Sequence, residues 1–234
     1  MGLEIDRVLA GLRHYPTNFA VFIYGTNPKL DVEQKARSNG KKIEKMINAT
    51  VNVRHEFVDH YDFQNAFNKL FEIFNSLKDD GYNIYVNLSS GSRIISSAAL
   101  LVSFMTDSIP YYVYPTKYNI SKTTTVLSKG YENVVQLPIM AIDTPSDKEI
   151  MVLNALKKSG GSISKQNELI PILENLQFFT PKKEREDMKR YNARLRAKLN
   201  RFISNLAKRN FVALKKEGRT VTVTLTHSGQ LFCK

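Results

Sequence analysis

A short run of small and hydroxyl residues, Ser89-Ser90-Gly91-Ser92-Arg93, is well suited to bind an anion. It lies between an apolar run over residues 82–88 and an Ala-rich apolar run over residues 94–105. We therefore predict a buried strand, a tight loop and a helix that is buried on nearly every face. Unpaired N–H groups at a helix N-terminus favour phosphate or carboxylate, and Arg93 adds a cation. A turn with an ordinary helix N-cap is the alternative interpretation.

A second candidate site is a stripe of basic and small side chains on a helix that we predict over residues 182–209. The stripe opposite the apolar face consists of Arg190, Arg194, Ala197, Arg201, Ser204 and Lys208. Cations on such a face bind phosphates, and arginine also binds guanine edges in the major groove. Lys215, Lys216 and Arg219 surround the turn of a predicted hairpin and suit contacts to the DNA backbone or minor groove. The alternative is a solvated basic face on a bundle helix.

The positive charge is concentrated in the second part of the chain. The 234 residues carry a formal net charge of +12. Residues 1–145 hold 15 Lys and Arg against 14 Asp and Glu, whereas residues 146–234 hold 19 against 8. This imbalance indicates two domains, of which the second binds a polyanion such as double-stranded DNA.

The first part has the pattern of an α/β domain. Strands are predicted over residues 18–24, 51–58, 82–88 and 109–114. Helical segments alternate with them, which indicates a parallel sheet with helices on both faces. Short edge strands are expected near Val126-Leu127 and over residues 134–138. The break around Asp143 gives the predicted domains 1–142 and 143–234.

The second part predicts a winged helix-turn-helix domain. Helices are expected over residues 146–158, 166–175 and 182–209, the first with a capping box between Ser146 and Glu149. A hairpin with a tight turn at Glu217-Gly218 follows. Three helices and a hairpin in this order place the third helix in the major groove. Because one such helix contacts few base pairs, we expect a homodimer.

The absence of certain residues and motifs narrows the classes of protein to which this chain can belong. The single cysteine, Cys233, permits no internal disulfide, which is consistent with a reducing cytoplasm. No apolar run reaches the roughly 18 residues of a membrane span. Nucleotide-binding glycine motifs are absent, and we expect no cofactor and no metal. His55 and His60 lie near Asp59 and Asp62, but a solvated strand end is favoured over a metal site there.

Residues 2–116 resemble the CARF domains of CRISPR-associated and related archaeal regulators. Two motifs carry the resemblance: Gly2-Leu3-Glu4-Ile5-Asp6-Arg7 near the start, and Asn87-Leu88-Ser89-Ser90-Gly91-Ser92-Arg93 after a strand. A winged helix also follows the first domain in the CARF-type transcription factors. The resemblance implies a Rossmann-like sheet, dimerisation, and a pocket across the dimer axis for a cyclic oligoadenylate.

The resemblance also implies which side chains bind this ligand, at the carboxyl ends of the strands as in other open α/β sheets. The implied residues are Glu4, Asp6, Arg7, Thr26, Asn27, Ser89, Ser90, Gly91, Ser92, Arg93 and Thr116. Members of the family have a strand before the loop that Gly2 opens. We therefore expect this chain to lack that central strand or to fill its place with another segment.

Together these patterns predict a ligand-responsive, DNA-binding transcriptional regulator without enzymatic activity. Two alternatives stay open: a ring nuclease that cleaves a bound cyclic oligoadenylate, and a DNA-binding dimer that has no effector.

Overall fold

The protein divides into two compact units. The computed structural model describes residues 1–119, 128–140, 142–184, 186–218 and 220–233. The first unit spans Met1–Asp143 and the second spans Thr144–Lys234. The strand expected near Val126-Leu127 and the DNA-binding candidate Arg219 lie outside the described residues.

The first unit alternates helices and strands, which confirms the predicted α/β class. Its helices are α1 (Ile5–His14), α2 (Asp31–Ile47), α3 (Phe63–Asp79) and α4 (Arg93–Met105). Its strands are β1 (Phe19–Gly25), β2 (Asn52–Val58), β3 (Tyr85–Asn87), β4 (Ile109–Tyr114), β5 (Lys117–Tyr118), β6 (Ser128–Lys129) and β7 (Asn133–Gln136). β1 pairs in parallel with β2, and β3 pairs in parallel with β4. β7 pairs antiparallel with β4, and β5 pairs antiparallel with β6.

The parallel sheet is interrupted between β1 and β3. One ladder joins β1 to β2, another has the order β3-β4-β7, and within the described residues no ladder joins the two. β3 is shorter than the strand predicted over residues 82–88, because only Tyr85, Val86 and Asn87 pair with β4. A cavity of about 230 Å³ lies between β1 and β3.

Helices pack on these strands through apolar stripes. Asp62 caps the N-terminus of α3, because its Oδ1 accepts a hydrogen bond from the Asn65 N–H at 3.1 Å. The buried side of α3 comprises Ala66, Phe67, Leu70, Ile73, Phe74 and Leu77. α4 differs from the prediction, since it buries only one side around Ala98 and Val102. On its other side Ile94 is 40% exposed.

The second unit has the helix and strand order of a winged helix. Its elements are α5 (Asp147–Lys158), β8 (Ser162–Ile163), a 3₁₀ turn (Gln166–Glu168), α6 (Leu169–Asn175), α7 (Met188–Lys208), β9 (Val212–Glu217), β10 (Thr220–Leu225) and α8 (His227–Gln230). The three strands are antiparallel in the order β8-β10-β9. The helices and the hairpin enclose one apolar core that includes Leu153, Leu156, Leu199, Ile203 and Val223.

Helix ends in the second unit follow their capping residues. The capping box of α5 is confirmed, because the Ser146 N–H donates to Glu149 Oε2 at 2.8 Å. The predicted start of α7 at residue 182 is wrong. Asp187 caps α7, with its Oδ1 accepting from the Arg190 N–H at 2.8 Å, so the helix begins at Met188.

Candidate ligand pocket and nucleic-acid interface

A cavity of about 240 Å³ opens beside the carboxyl end of β1. Its walls come from the chain start, α2 and the loops that follow β1, β2 and β3. The lining residues are Met1, Gly2, Leu3, Glu4, Gly25, Val32, Glu33, Ala36, His60, Gly91, Ser92 and Ile95. Parallel strands bring the loops after them to one edge of a sheet, which explains why distant segments meet here. Of the predicted ligand residues, Glu4, Gly91 and Ser92 line this pocket.

The loop before α4 holds a carboxylate of the chain itself. The Ser90 hydroxyl donates to Glu4 Oε2 at 3.1 Å, and the Leu3 N–H donates to the same oxygen at 3.1 Å. Gly91 has a φ of +116°, which favours glycine, and the Ser92 Oγ accepts from the Ile94 N–H at 3.2 Å. The pocket therefore offers carboxylate acceptors for ligand hydroxyl or amino groups, next to helix N–H groups that favour phosphate.

Glu33 and His60 form a second polar cluster in the pocket. Glu33 Oε1 lies 3.2 Å from His60 Nδ1, and the Glu33 side chain is only 7% exposed. Arg37 Nη2 lies 3.7 Å from the other oxygen of Glu33 and donates to the Gly25 carbonyl at 2.8 Å. A Cβ on Gly25 would lie 2.1 Å from Glu33 Oε1, so the close approach of this carboxylate requires glycine there.

Glu33 was not predicted as a site residue, and His60 was considered only together with His55. In the structure His55 contacts other groups, namely Tyr24 Oη and Glu44 Oε2, each at 3.2 Å. Among the described residues, no cluster of three or more His, Cys, Asp or Glu side chains has the arrangement of a metal site. Gly25, the glycine that ends β1, was the one available signal for a group packed against that strand end.

Three predicted ligand residues contact the neighbouring strands instead of the pocket. The buried Ser89 Oγ accepts from the Val113 N–H at 2.5 Å, and the Nε of buried Arg7 donates to the Val113 carbonyl at 2.8 Å. Asp6 accepts from the Gly130 N–H at 3.0 Å. These contacts join α1 and the loop after β3 to β4. The contact of Asp6 also joins α1 to the residue after β6.

The remaining predicted ligand residues do not line the 240 Å³ pocket. Thr26, Asn27, Arg93 and Thr116 are exposed to solvent. Ser90 is half-buried and lines the 230 Å³ cavity between β1 and β3. The structure thus brings Glu4 and the loop from Ser90 to Ser92 together. The side chains of Thr26, Asn27, Arg93 and Thr116 stay at the surface.

The exposed face of α7 carries most of the predicted basic stripe. Its exposed members are Arg190, Ala197, Arg201, Ser204 and Lys208. They lie opposite the core side, where Leu195, Leu199 and Ile203 are buried. The same exposed surface continues to Lys189, Arg196 and Asn200. These three residues were not predicted, although the rotation of about 100° per residue in a helix places them beside the stripe.

Arg194 has a different environment from the other arginines of the stripe. Its Nε and Nη2 donate to the two carboxylate oxygens of Glu186 at 3.0 and 2.9 Å. It also donates to the carbonyls of Thr180 and Pro181. The hydrogen bonds from Arg194 hold the pKa of Glu186 below its usual value. This arginine therefore fixes the segment that precedes α7.

Two other cations of the second unit, one on α7 and one on the hairpin, also have hydrogen-bond or ion-pair partners. Lys198 Nζ donates to the Phe178 carbonyl at 3.1 Å, and burial lowers the pKa of this amine. On the hairpin, Lys215 Nζ lies 2.8 Å from Glu217 Oε1, whereas Lys216 is exposed. Of the described cations that we predict to bind DNA, Arg190, Arg201, Lys208, Lys215 and Lys216 are exposed.

Comparisons with known families cover both units. Residues 1–118 match the family model described as "HFX_2341_N:-like, N-terminal", and residues 148–233 match the "DUF6293 C-terminal winged helix domain". A protein of Archaeoglobus fulgidus called "Uncharacterized protein" is 26% identical over 113 residues. The match covers 48% of this chain and 48% of that protein, so it spans about half the length of the relative.

Two solved structures are similar over 99% of the chain. Can2 from Sulfobacillus thermosulfidooxidans, in complex with cyclic tetra-adenylate, matches over 60% of its own length with 14% identity and a TM-score of 0.40. Protein VC1899 from Vibrio cholerae matches over 61% of its length with 14% identity and a TM-score of 0.44. Both TM-scores lie below 0.5, so neither similarity identifies a ligand of this chain. Separately, no helix in the described ranges is long and apolar enough to cross a membrane.

Proposed function

The chain belongs to the HFX_2341_N-like family, and we propose that it is a transcriptional regulator whose winged-helix domain binds DNA under the control of a ligand. The observation that carries this proposal is the exposed face of α7. There Arg190, Arg201 and Lys208 surround the small side chains of Ala197 and Ser204. The cations neutralise phosphates, and the small residues let the helix approach the floor of the major groove.

The DNA-binding face is tested with Arg201→Ala in the full chain. We measure fluorescence anisotropy with a labelled duplex from the region upstream of the protein's own gene. Loss of an arginine contact to a base or phosphate is expected to weaken binding at least about fivefold. Arg13→Ala removes the same charge from an exposed site on α1 and is expected to leave the affinity unchanged. Equal affinities of both variants and the parent chain would contradict the proposal.

The proposed ligand is a cyclic oligoadenylate, the class that the resemblance to CARF domains indicates. The chemistry of the 240 Å³ pocket supports it. Phosphate suits the N–H groups at the start of α4, while ribose hydroxyls and adenine amino groups donate to carboxylates such as Glu4 and Glu33. Isothermal calorimetry with cyclic tetra-adenylate tests this step, and the absence of binding heat would leave a DNA-binding protein without this effector.

We propose that the protein acts as a homodimer through α4. The side of this helix that faces away from its own sheet carries Ile94, Ser97, Leu101 and Phe104 at steps of three or four residues. Ile94 and Ser97 are exposed, and Leu101 and Phe104 are only half-buried. Pairing of two such apolar faces removes them from water. A ligand bound near the start of α4 then changes the spacing of the two α7 helices by favouring one dimer arrangement.

One observation favours a second candidate function, a ring nuclease. The Glu33–His60 pair lines the same pocket, and a carboxylate that orients an imidazole is a common general-base arrangement. His60 would accept the proton of a ribose 2′-hydroxyl while that oxygen attacks the adjacent phosphorus, which forms a 2′,3′-cyclic phosphate and releases the 5′-oxygen, protonated by water, as a hydroxyl. Linear products from cyclic tetra-adenylate that disappear in His60→Ala would establish this activity, whereas intact ligand would exclude it.

A further inference from the structure

The small net charge of the first unit conceals an uneven distribution. Helix α2 holds five Lys and Arg against three Asp and Glu, whereas the other residues of 1–145 hold ten against eleven. Glu33 is buried and lines the ligand pocket, and the half-buried Glu44 contacts His55 Nε2 at 3.2 Å. Asp31, the first residue of α2, is the only exposed acid of this helix. The solvent side of α2 is therefore basic.

Four lysines share this solvent side, which we call the α2 lysine face. At about 100° per residue they fall within an arc of roughly 120°, opposite the buried Ala36, Gly40 and Ile43. Each lysine is exposed, and within the described residues none has an ion pair or a side-chain hydrogen bond. Their ammonium groups are therefore free to bind an external anion. The face consists of Lys35, Lys41, Lys42 and Lys45.

The spacing of the α2 lysine face fits the backbone of double-stranded DNA. Lys35 and Lys45 are ten residues apart in the sequence, which is about 15 Å along a helix. The phosphates of one DNA strand follow one another at about 3.4 Å along the axis, so this length covers roughly four of them. Ser38 is exposed on the same side of the helix and adds a hydroxyl donor for phosphate.

The composition of α2 favours duplex DNA over two other kinds of anionic partner. Single-stranded nucleic acids are bound with aromatic side chains on which the bases stack, and α2 contains no aromatic residue. A helix that lies on a membrane buries its apolar side in lipid. The apolar side of α2 is covered by its own unit instead, because Ile43 is fully buried beside Phe22 and Tyr24.

The other side of α2 belongs to the ligand pocket. Glu33 and Ala36 line that pocket, and Lys35 lies between them in the sequence but points to solvent. A ligand that contacts Glu33 therefore acts on the same helix that carries the exposed lysines.

We propose that the α2 lysine face is a second DNA-binding surface, which contacts phosphates of the duplex independently of base sequence while α7 contacts the bases. The choice of duplex DNA as the partner rests on the proposed function. The first unit then contributes affinity that depends strongly on salt, because each neutralised phosphate releases a counterion. The unit that binds the ligand is thus also in direct contact with the DNA.

A triple variant of the full chain, Lys35→Gln with Lys42→Gln and Lys45→Gln, tests this surface. Glutamine removes the charge and keeps a good helix propensity, so the variant is expected to keep the Tm of the parent chain. We measure Kd for the upstream duplex by fluorescence anisotropy over a series of salt concentrations. Loss of three phosphate contacts is expected to lower the slope of log Kd against log salt by about 2–3. At roughly 0.1 M salt, binding is expected to weaken at least about tenfold.

The matched control removes the same charge from other exposed sites of the first unit. It combines Arg13→Gln, Lys117→Gln and Lys129→Gln, and it is expected to change the slope by less than about 1. Equal slopes for the α2 variant and this control would overturn the inference. A single-stranded oligonucleotide of the same sequence that loses as much affinity as the duplex would overturn the assignment to duplex DNA.

The Arg201→Ala variant separates this inference from the proposed role of α7. An unchanged slope in the α2 variant, together with weaker binding by Arg201→Ala, would overturn the α2 surface and leave the function of α7 intact. A lower slope in the α2 variant with no effect of Arg201→Ala would support the α2 surface and contradict the role of α7. A parent chain that binds no duplex would overturn both.

Discussion

Ser89 and Ser90 carry the same hydroxyl group, yet the two hydroxyls contact different parts of the first unit. Ser89 accepts a hydrogen bond from the buried Val113 N–H, which ties the loop after β3 to β4. Ser90 donates to Glu4, a residue that is 86 positions away in the chain. Composition alone indicated an anion-binding loop, but it gave no means to see that a carboxylate of the chain itself lies on that loop.

Replacement of each serine separates these roles. Ser89→Ala leaves the buried Val113 N–H without its partner and is expected to lower the free energy of unfolding by about 1–3 kcal/mol. Ser90→Ala, at a half-buried side chain, is expected to change it by less than about 0.5 kcal/mol. Urea denaturation followed by circular dichroism measures both. Equal destabilisation by the two substitutions would contradict the assignment of Ser89 to the framework and of Ser90 to the contact with Glu4.

At the scale of the element, α5 and α7 are joined by an ion pair at their ends. Glu149, in the first turn of α5, lies 3.0 Å from Arg209, the C-cap residue of α7. Burial alone would raise the pKa of Glu149, but hydrogen bonds from Ser146 and Arg209 hold it below its usual value. The ionised carboxylate therefore stabilises the folded winged-helix domain.

Glu149→Gln tests this contribution through its pH dependence. A depressed pKa means that the stabilisation is present above the usual carboxyl pKa of 4.5 and is lost as the pH falls through the lower folded-state value. We expect the variant to unfold at a lower urea concentration at pH 7, with a loss of about 1–3 kcal/mol. The two proteins should converge once the pH has fallen below the lowered folded-state pKa of Glu149. A difference that persists unchanged at acidic pH would refute the ionic explanation.

Whether a segment forms a helix or a strand was predictable from its periodicity. The residues at which helices and strands end, and which strands pair, were harder to predict. The stripe of α7 follows from three- and four-residue spacing, and Ser146 marked the start of α5 correctly. The start of α7 was predicted at residue 182 because the charged residues before Met188 look like a continuation of the helix. In the structure the Glu186–Arg194 ion pair instead holds this segment against α7. The strand over residues 82–88 proved shorter, since hydrophobicity does not reveal how many residues of a segment pair with a neighbouring strand.

At the scale of the whole molecule, the proposed regulation requires two copies of the chain. Each winged helix presents one α7, and a second α7 doubles the DNA that is contacted. The apolar face of α4 is the surface that we assign to this pairing, and its first exposed residue is Ile94, at 40% exposure. The sequence predicted that α4 is buried on nearly every face, and pairing of two copies through this face would bury it to that extent.

A charge on the α4 face is expected to separate the two copies. Ile94→Glu places a carboxylate within the proposed contact, so we predict a monomer in sedimentation velocity where the parent chain is a dimer. Met46→Glu is the control, because Met46 is 65% exposed on α2 and lies outside this face. A parent chain that sediments as a monomer, or an Ile94→Glu variant that stays dimeric, would rule out α4 as the interface.

The affinity of the full chain for its upstream duplex, measured by fluorescence anisotropy with and without saturating cyclic tetra-adenylate, tests the central claim most directly. A ligand that favours one dimer arrangement must change the DNA affinity by its coupling free energy. We predict a change in Kd of at least about fivefold, the lower end of typical allosteric coupling. Tight DNA binding with the same Kd in both conditions would contradict regulation by this ligand.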